Sequence, residues 1–131
     1  MALKKRISMI VEKTDTGFSA YAENESVFTT GKSVAELMNN AFEAMELYYE
    51  DQDVQLMRND IKFEIDIQQF FKYYKVLNAK FLAEKIGMNE TLLSQYVQGR
   101  KKPSEKQVQR ILTGIQQIGQ ELSGINLLQN S

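Results

Sequence analysis

Residues 78–104, NAKFLAEKIGMNETLLSQYVQGRKKPS, limit what this chain can fold into more than any other stretch. Phe81, Leu82, Ala83 and Ile86 make an apolar stripe at helical spacing, and Gly87 stands where a helix stops. Met88 is apolar, and Asn89 suits the N-cap of a second helix. In that helix Leu92, Leu93, Tyr96 and Val97 fall on one side, as a shared buried face requires. Gly99 then ends it, and Arg100, Lys101, Lys102 and Pro103 make a basic turn. Two short helices joined by a tight glycine turn can lay the second helix in a major groove of DNA. The plainer reading is a pair of short core helices. What favours the DNA reading is the combination: Leu-Ala before the glycine, an N-cap two residues after it, and a Gly-basic-Pro-Ser ending.

The polar residues of this stretch divide by chemistry. Glu90, Thr91, Ser94, Gln95 and Gln98 point away from the Leu93/Tyr96 side, and residues near the start of a recognition helix reach base edges. The Gln95 amide matches the donor and acceptor of adenine, while Thr91 and Ser94 suit a base or a phosphate. Glu90 repels phosphates, so its expected role is to stabilise the positive start of the helix beside Asn89, with a cytosine amino group as the alternative partner. Arg100, Lys101 and Lys102 are the expected phosphate clamps, and Ser104 with the amides it caps adds an anion site. A solvated turn is the competing reading of the basic run. Lys80 and Lys85 extend the basic surface. One small domain offers little contact area, so a dimer or higher homo-oligomer on a palindromic double-stranded site is expected.

The first half reads differently. Ile7, Met9 and Val11 alternate with Arg6, Ser8 and Glu12, predicting a half-buried strand over residues 4–13. Ile10, on its polar side, predicts that this side is partly covered too, for instance by a partner chain. Asp15-Thr16-Gly17 is a hairpin turn into a strand with Phe18, Ala20 and Ala22, and a short third strand around Val27 closes at Gly31. Ser33 to Glu36 is a capping box. The helix it opens carries Val34, Leu37, Met38, Ala41, Met45 and Tyr48 on one face, which should lie across the sheet. After a polar connection over 51–59, Ile61, Phe63 and Ile65 alternate as a fourth strand. Asp66 caps a helix with Ile67, Phe70, Phe71 and Tyr74, expected to pack as the first helix of a second domain. The fold class is therefore α+β: a β-β-β-α-β module over 1–66 and an all-α helix-turn-helix domain over 67–131. Ser104 and Gln107 form a second capping box ahead of a stripe at Val108, Ile111, Leu112, Ile115, Ile118 and Leu122. That stripe either closes the helical core or pairs with its copy. Gly114, Gly119 and Gly124 permit close backbone approach, and Ile125, Leu127 and Leu128 are apolar enough to dock.

Composition narrows the chemistry. The 131 residues include no cysteine and no histidine, which removes disulfides, thiolates, the commonest general base and the commonest metal ligand. No catalytic residue, metal site or cofactor is expected. Without a long apolar run or a signal-like start, a cytoplasmic protein with no membrane partner is expected. Residues 1–60 hold 6 Lys/Arg against 11 Asp/Glu, a net of −5, and residues 61–131 hold 10 against 6, a net of +4. An acidic module joined to a nucleic-acid-binding one fits that asymmetry.

The stretch LAEKIGMNETLLSQYVQGRKKPSEKQ resembles the helix-turn-helix of phage-repressor-type (XRE-like) regulators. Its form, with Asn78 upstream, Gly87-Met88-Asn89-Glu90, and Leu92-Leu93-Ser94-Gln95-Tyr96 inside, is similar to the C-terminal domain of HicB-family antitoxins. The first half agrees in order: a strand, an Asp-x-Gly hairpin, short strands ending at Gly31, and a helix with Glu43-Ala44. The resemblance implies a partial ribonuclease-H-like N-terminal module and an antitoxin of a type II toxin–antitoxin pair. That module would sequester a HicA-like toxin, a messenger-RNA-cleaving ribonuclease, while the C-terminal domain binds the operon's own promoter as a repressor. Residues 23–30 depart from the family in lacking its usual proline and glycine before the third strand. Two other hypotheses compete. One is a stand-alone DNA-binding transcription regulator whose N-terminal module dimerises or binds another ligand. The other is a nuclease, disfavoured because the strands offer only Glu12, Glu64 and Asp66 where two-metal chemistry needs converging carboxylates.

Overall fold

The Asp15-Thr16 turn joins β1 (Ile7–Thr14) to β2 (Gly17–Ala22) as an antiparallel hairpin, and β2 pairs antiparallel with β3 (Phe28–Gly31). The computed structural model describes residues 5–125 and 127, so Lys4 and Leu128 lie outside the described residues. Helix α1 (Val34–Tyr48) carries the chain back across the sheet, and a 3-10 turn (Arg58–Asp60) leads into β4 (Ile61–Ile65), parallel to β1. Parallel neighbours need such a crossover, which is why the helix sits between them in sequence. The strand order is β3-β2-β1-β4. The class is α+β, with one mixed sheet of four strands and five α-helices among the described residues.

The core of this unit lies between one sheet face and α1. Ile7, Met9 and Val11, Ala20 and Ala22, and Ile61 meet Leu37, Ala41 and Met45. Val34, Met38 and Tyr48, expected on the packed face, are exposed at its margins. A single helix packed on one sheet hides only its central stripe. At the helix start the Glu36 amide donates to Ser33 Oγ at 3.1 Å, but Glu36 Oε2 accepts from the Lys32 amide at 3.2 Å. The reciprocal arm of the capping box thus reaches one residue further back than expected.

Helix α2 (Ile67–Tyr73) corrects the expected division at residue 66. The two compact units are Met1–Tyr73 and Tyr74–Ser131, so α2 belongs with the sheet. The Asp66 amide donates to the Val11 carbonyl at 2.9 Å, continuing the β4 ladder by one bond. Beyond it the Gln69 side chain takes over: Oε1 accepts from the Lys13 amide at 2.9 Å and Nε2 donates to the Lys13 carbonyl at 2.8 Å. Tyr73 Oη donates to Asp15 Oδ1 at 2.9 Å. Apolar spacing alone could not tell which neighbour this helix joins.

The second unit holds α3 (Ala79–Ile86), α4 (Glu90–Val97) and α5 (Glu105–Ser123). Leu82, Ala83, Met88, Leu93, Tyr96 and Ile111 are buried in it. A Cβ on Gly114 would lie 2.2 Å from Ile86 Cγ2, so the expected close approach occurs there, whereas nothing lies within 4 Å of one on Gly119. Ile125 and Leu127, expected to dock, are 61% and 89% exposed. The contacts of α3 with α5 at Gly114 and Glu121 precede these two residues in the chain. No helix among the described residues is long and apolar enough to cross a membrane.

Candidate nucleic-acid interface

Three caps build this region. Asn78 Oδ1 accepts from the Phe81 amide at 3.2 Å and starts α3; Gly87, at φ 68° and ψ 33°, ends it in the left-handed region. Only glycine takes that conformation without steric cost, and the chain turns there into α4. Asn89 Oδ1 accepts from the Leu92 amide at 3.0 Å, as a helix N-cap should. Leu93 and Tyr96 are buried, Leu92 and Val97 half-buried on the flanks. On α3, Leu82 and Ala83 are buried, but Phe81 is 61% exposed and leaves the expected stripe.

The polar residues of α4 differ in exposure. Asn89, Glu90, Thr91 and Gln98 are exposed, and Ser94 and Gln95 are half-buried. Gln98 Nε2 donates to Ser94 Oγ at 3.2 Å, which holds these two polar side chains together one turn apart. Glu90 opens the first turn, where a carboxylate stabilises the helix end.

After α4 the backbone doubles back. Gly99 has φ 77°, and the amides of Arg100 and Lys101 donate to the Gln95 carbonyl at 2.9 and 3.3 Å. The bond from Arg100 spans five residues, a Schellman closure that fixes where the basic run leaves the helix. Arg100, Lys101, Lys102 and Ser104 are all exposed. Ser104 Oγ accepts from the Gln107 amide at 3.2 Å and caps α5. The Gln107 side chain does not complete the expected box: its Oε1 accepts from Arg110 Nη1 at 3.1 Å. The segment therefore presents a short polar helix face followed by three exposed cations and a helix N-terminus. Such an array offers base-edge donors and acceptors beside phosphate ligands. Lys80 is exposed on α3, while Lys85 pairs with Glu121 at 2.9 Å and is engaged within the unit.

Arg110 is a residue that sequence reasoning missed. Its Nη2 donates to the carbonyls of Ile86 and Gly87, each at 3.1 Å, capping the end of α3 from α5. No spacing rule finds a contact made more than twenty residues away. Of the strand carboxylates weighed for metal chemistry, Glu12 stands opposite Ser19 and Glu64 opposite Ile10 and 3.3 Å from Lys62. Among the described residues no three His, Cys, Asp or Glu are grouped so as to hold a metal ion.

Comparison of the chain with protein-family models, curated proteins and solved structures returned no match.

Proposed function

We propose that the chain is an antitoxin of HicB type. In this reading α3 and α4 form a helix-turn-helix that binds operator DNA and represses the chain's own operon. The first unit sequesters a HicA-like ribonuclease that cleaves messenger RNA. What supports the DNA half is the α3–Gly87–α4 pair, with its left-handed glycine and Asn89 cap, an exposed Thr91 and half-buried Ser94 and Gln95 on α4, and exposed Arg100, Lys101 and Lys102 after it. For the first unit, support comes from a three-stranded meander followed by a helix and a strand parallel to β1, the opening order of a ribonuclease-H-like sheet. α4 is short, so two copies on a palindromic site supply the contact area a specific complex needs.

On a fragment carrying the gene's own promoter, Gln95→Ala should cost about 1–3 kcal/mol and relax the preference at one base position. Replacing Arg100, Lys101 and Lys102 together with alanine should weaken binding on every sequence alike. It should also flatten the salt dependence by about 0.9 log units for each phosphate no longer neutralised. Titration across a range of salt concentrations checks both, and an unchanged slope in the triple variant would remove the clamp role.

For the antitoxin half, the tagged chain is co-expressed with the product of the adjacent gene. A stable complex that suppresses the partner's RNA cleavage is expected. If nothing co-purifies, or the partner cleaves no RNA, the chain stands as a DNA-binding regulator with a different ligand for its first unit.

A further inference from the structure

Helix α1 covers one face of the sheet, and the ladder fixes what stands on the other. Phe28 pairs with Tyr21, Tyr21 with Ile10, and Ile10 with Glu64, so these four form one row across all four strands. Thr30, Ser19 and Glu12 form the next row. Phe28 is 66% exposed and Tyr21 40%, with Ile10 half-buried between Tyr21 and Glu64. A solvated sheet face carries polar residues at such positions, so a Phe-Tyr-Ile row is out of place without a partner.

The row has a definite electrostatic setting. Burial, then the carboxylates of Glu12, Asp66 and Glu23, push the Tyr21 phenol above its ordinary pKa, so three acidic groups act on that hydroxyl. The unit Met1–Tyr73 holds 8 Lys/Arg against 13 Asp/Glu, a net of −5.

We infer that the Phe28–Tyr21–Ile10 row is the docking surface for a basic protein, the ribonuclease of the reading above, on which this inference rests. Arginine side chains of that partner lie on the two rings and pair with Glu12, Glu23 and Asp66. Guanidinium is the group that both stacks on an aromatic face and binds carboxylate bidentately. Charge selects this occupant over the others. A second copy would bring the same carboxylates against themselves, and a nucleic acid would bring phosphates against them; both repel. A ribonuclease needs cations where its RNA lies, so a face that engages those cations competes with RNA for them.

The test uses the full-length tagged chain and the adjacent gene product, with affinity measured at two salt concentrations. Three variants are compared: Phe28→Ala, the double reversal Glu12→Lys/Glu23→Lys, and Leu47→Ala on α1, where Leu47 is 72% exposed. Far-UV circular dichroism confirms the fold of each. Glu23→Lys alone, at an exposed position, serves if the double variant does not fold. Phe28→Ala should weaken the complex by about 30-fold or more, the effect of a central aromatic anchor. The charge reversal should abolish capture, and Leu47→Ala should leave it unchanged. If the wild type captures the partner and both face variants hold it as tightly, the face is not the seat, and the antitoxin reading survives without it. If the wild type captures nothing, that reading falls and the inference with it.

Discussion

Leu93→Ala is expected to unfold the second unit, and with it the DNA binding proposed for that unit, while the first unit keeps its own unfolding transition. Leu93 is fully buried, and the other buried apolar side chains among the described residues of this unit are Leu82, Ala83, Met88, Tyr96 and Ile111. Truncating such a leucine costs about 3–5 kcal/mol through reduced transfer energy and the cavity left behind. A unit this small holds about the same total from its core, so the change consumes nearly all its stability. Urea unfolding followed by far-UV circular dichroism should find much of the helical signal missing before denaturant is added. Leu93→Met, close in volume, should cost less than about 1.5 kcal/mol and retain DNA affinity. Full helicity in Leu93→Ala would mean that this core is not what holds α3 and α4 together.

The second large effect is Gly31→Ala, which should lower the melting temperature of the first unit by more than about 10 °C. Gly31 closes β3 opposite Phe18, and a Cβ there would lie 2.4 Å from the Leu37 amide nitrogen and 2.6 Å from its Cα. These are backbone atoms of α1, so relief requires lifting the helix from the sheet rather than turning a side chain. Gly17, with φ 151°, is equally confined: its Cβ would meet the Gly31 carbonyl oxygen at 2.2 Å. The same substitution at Gly119, with nothing within 4 Å, carries no such clash. Thermal unfolding of the three alanine variants side by side checks the contrast. A Gly31 variant as stable as that at Gly119 would refute the close approach.

Local signals were legible where their cause is local. Asn89, Ser33 and Ser104 cap the helices their spacing named, and Gly87 and Gly99 end helices with positive φ. Alternation in β1 read correctly because Ile7, Met9 and Val11 pack in the core beneath α1, whereas in β4 Ile61 is buried and the next four residues are all half-buried. What could not be read was partnership at a distance. The apolar face of α2 is compatible with either neighbour, and its assignment turns on Gln69, a polar residue with no periodic signature. Phe81 belongs to the apolar stripe by spacing yet stands outside it, because only the stripe through Leu82 and Ala83 meets the core. For the candidate interface, the polar face of α4 and the basic turn were visible in sequence, whereas Arg110 was not.

The Gln69 side chain has a consequence for how this sequence can drift. Its amide occupies the place of a peptide group beside Lys13, offering one acceptor and one donor to a strand that has run past its neighbour. A shorter asparagine would not span the gap, a glutamate would lack the donor, and a leucine would offer neither group. Any of these leaves Lys13 with bare ladder groups, the kind of edge on which another chain can begin a cross-linked aggregate. One side chain thus closes the open end of β1, and position 69 should tolerate exchange less readily than its half-buried setting suggests.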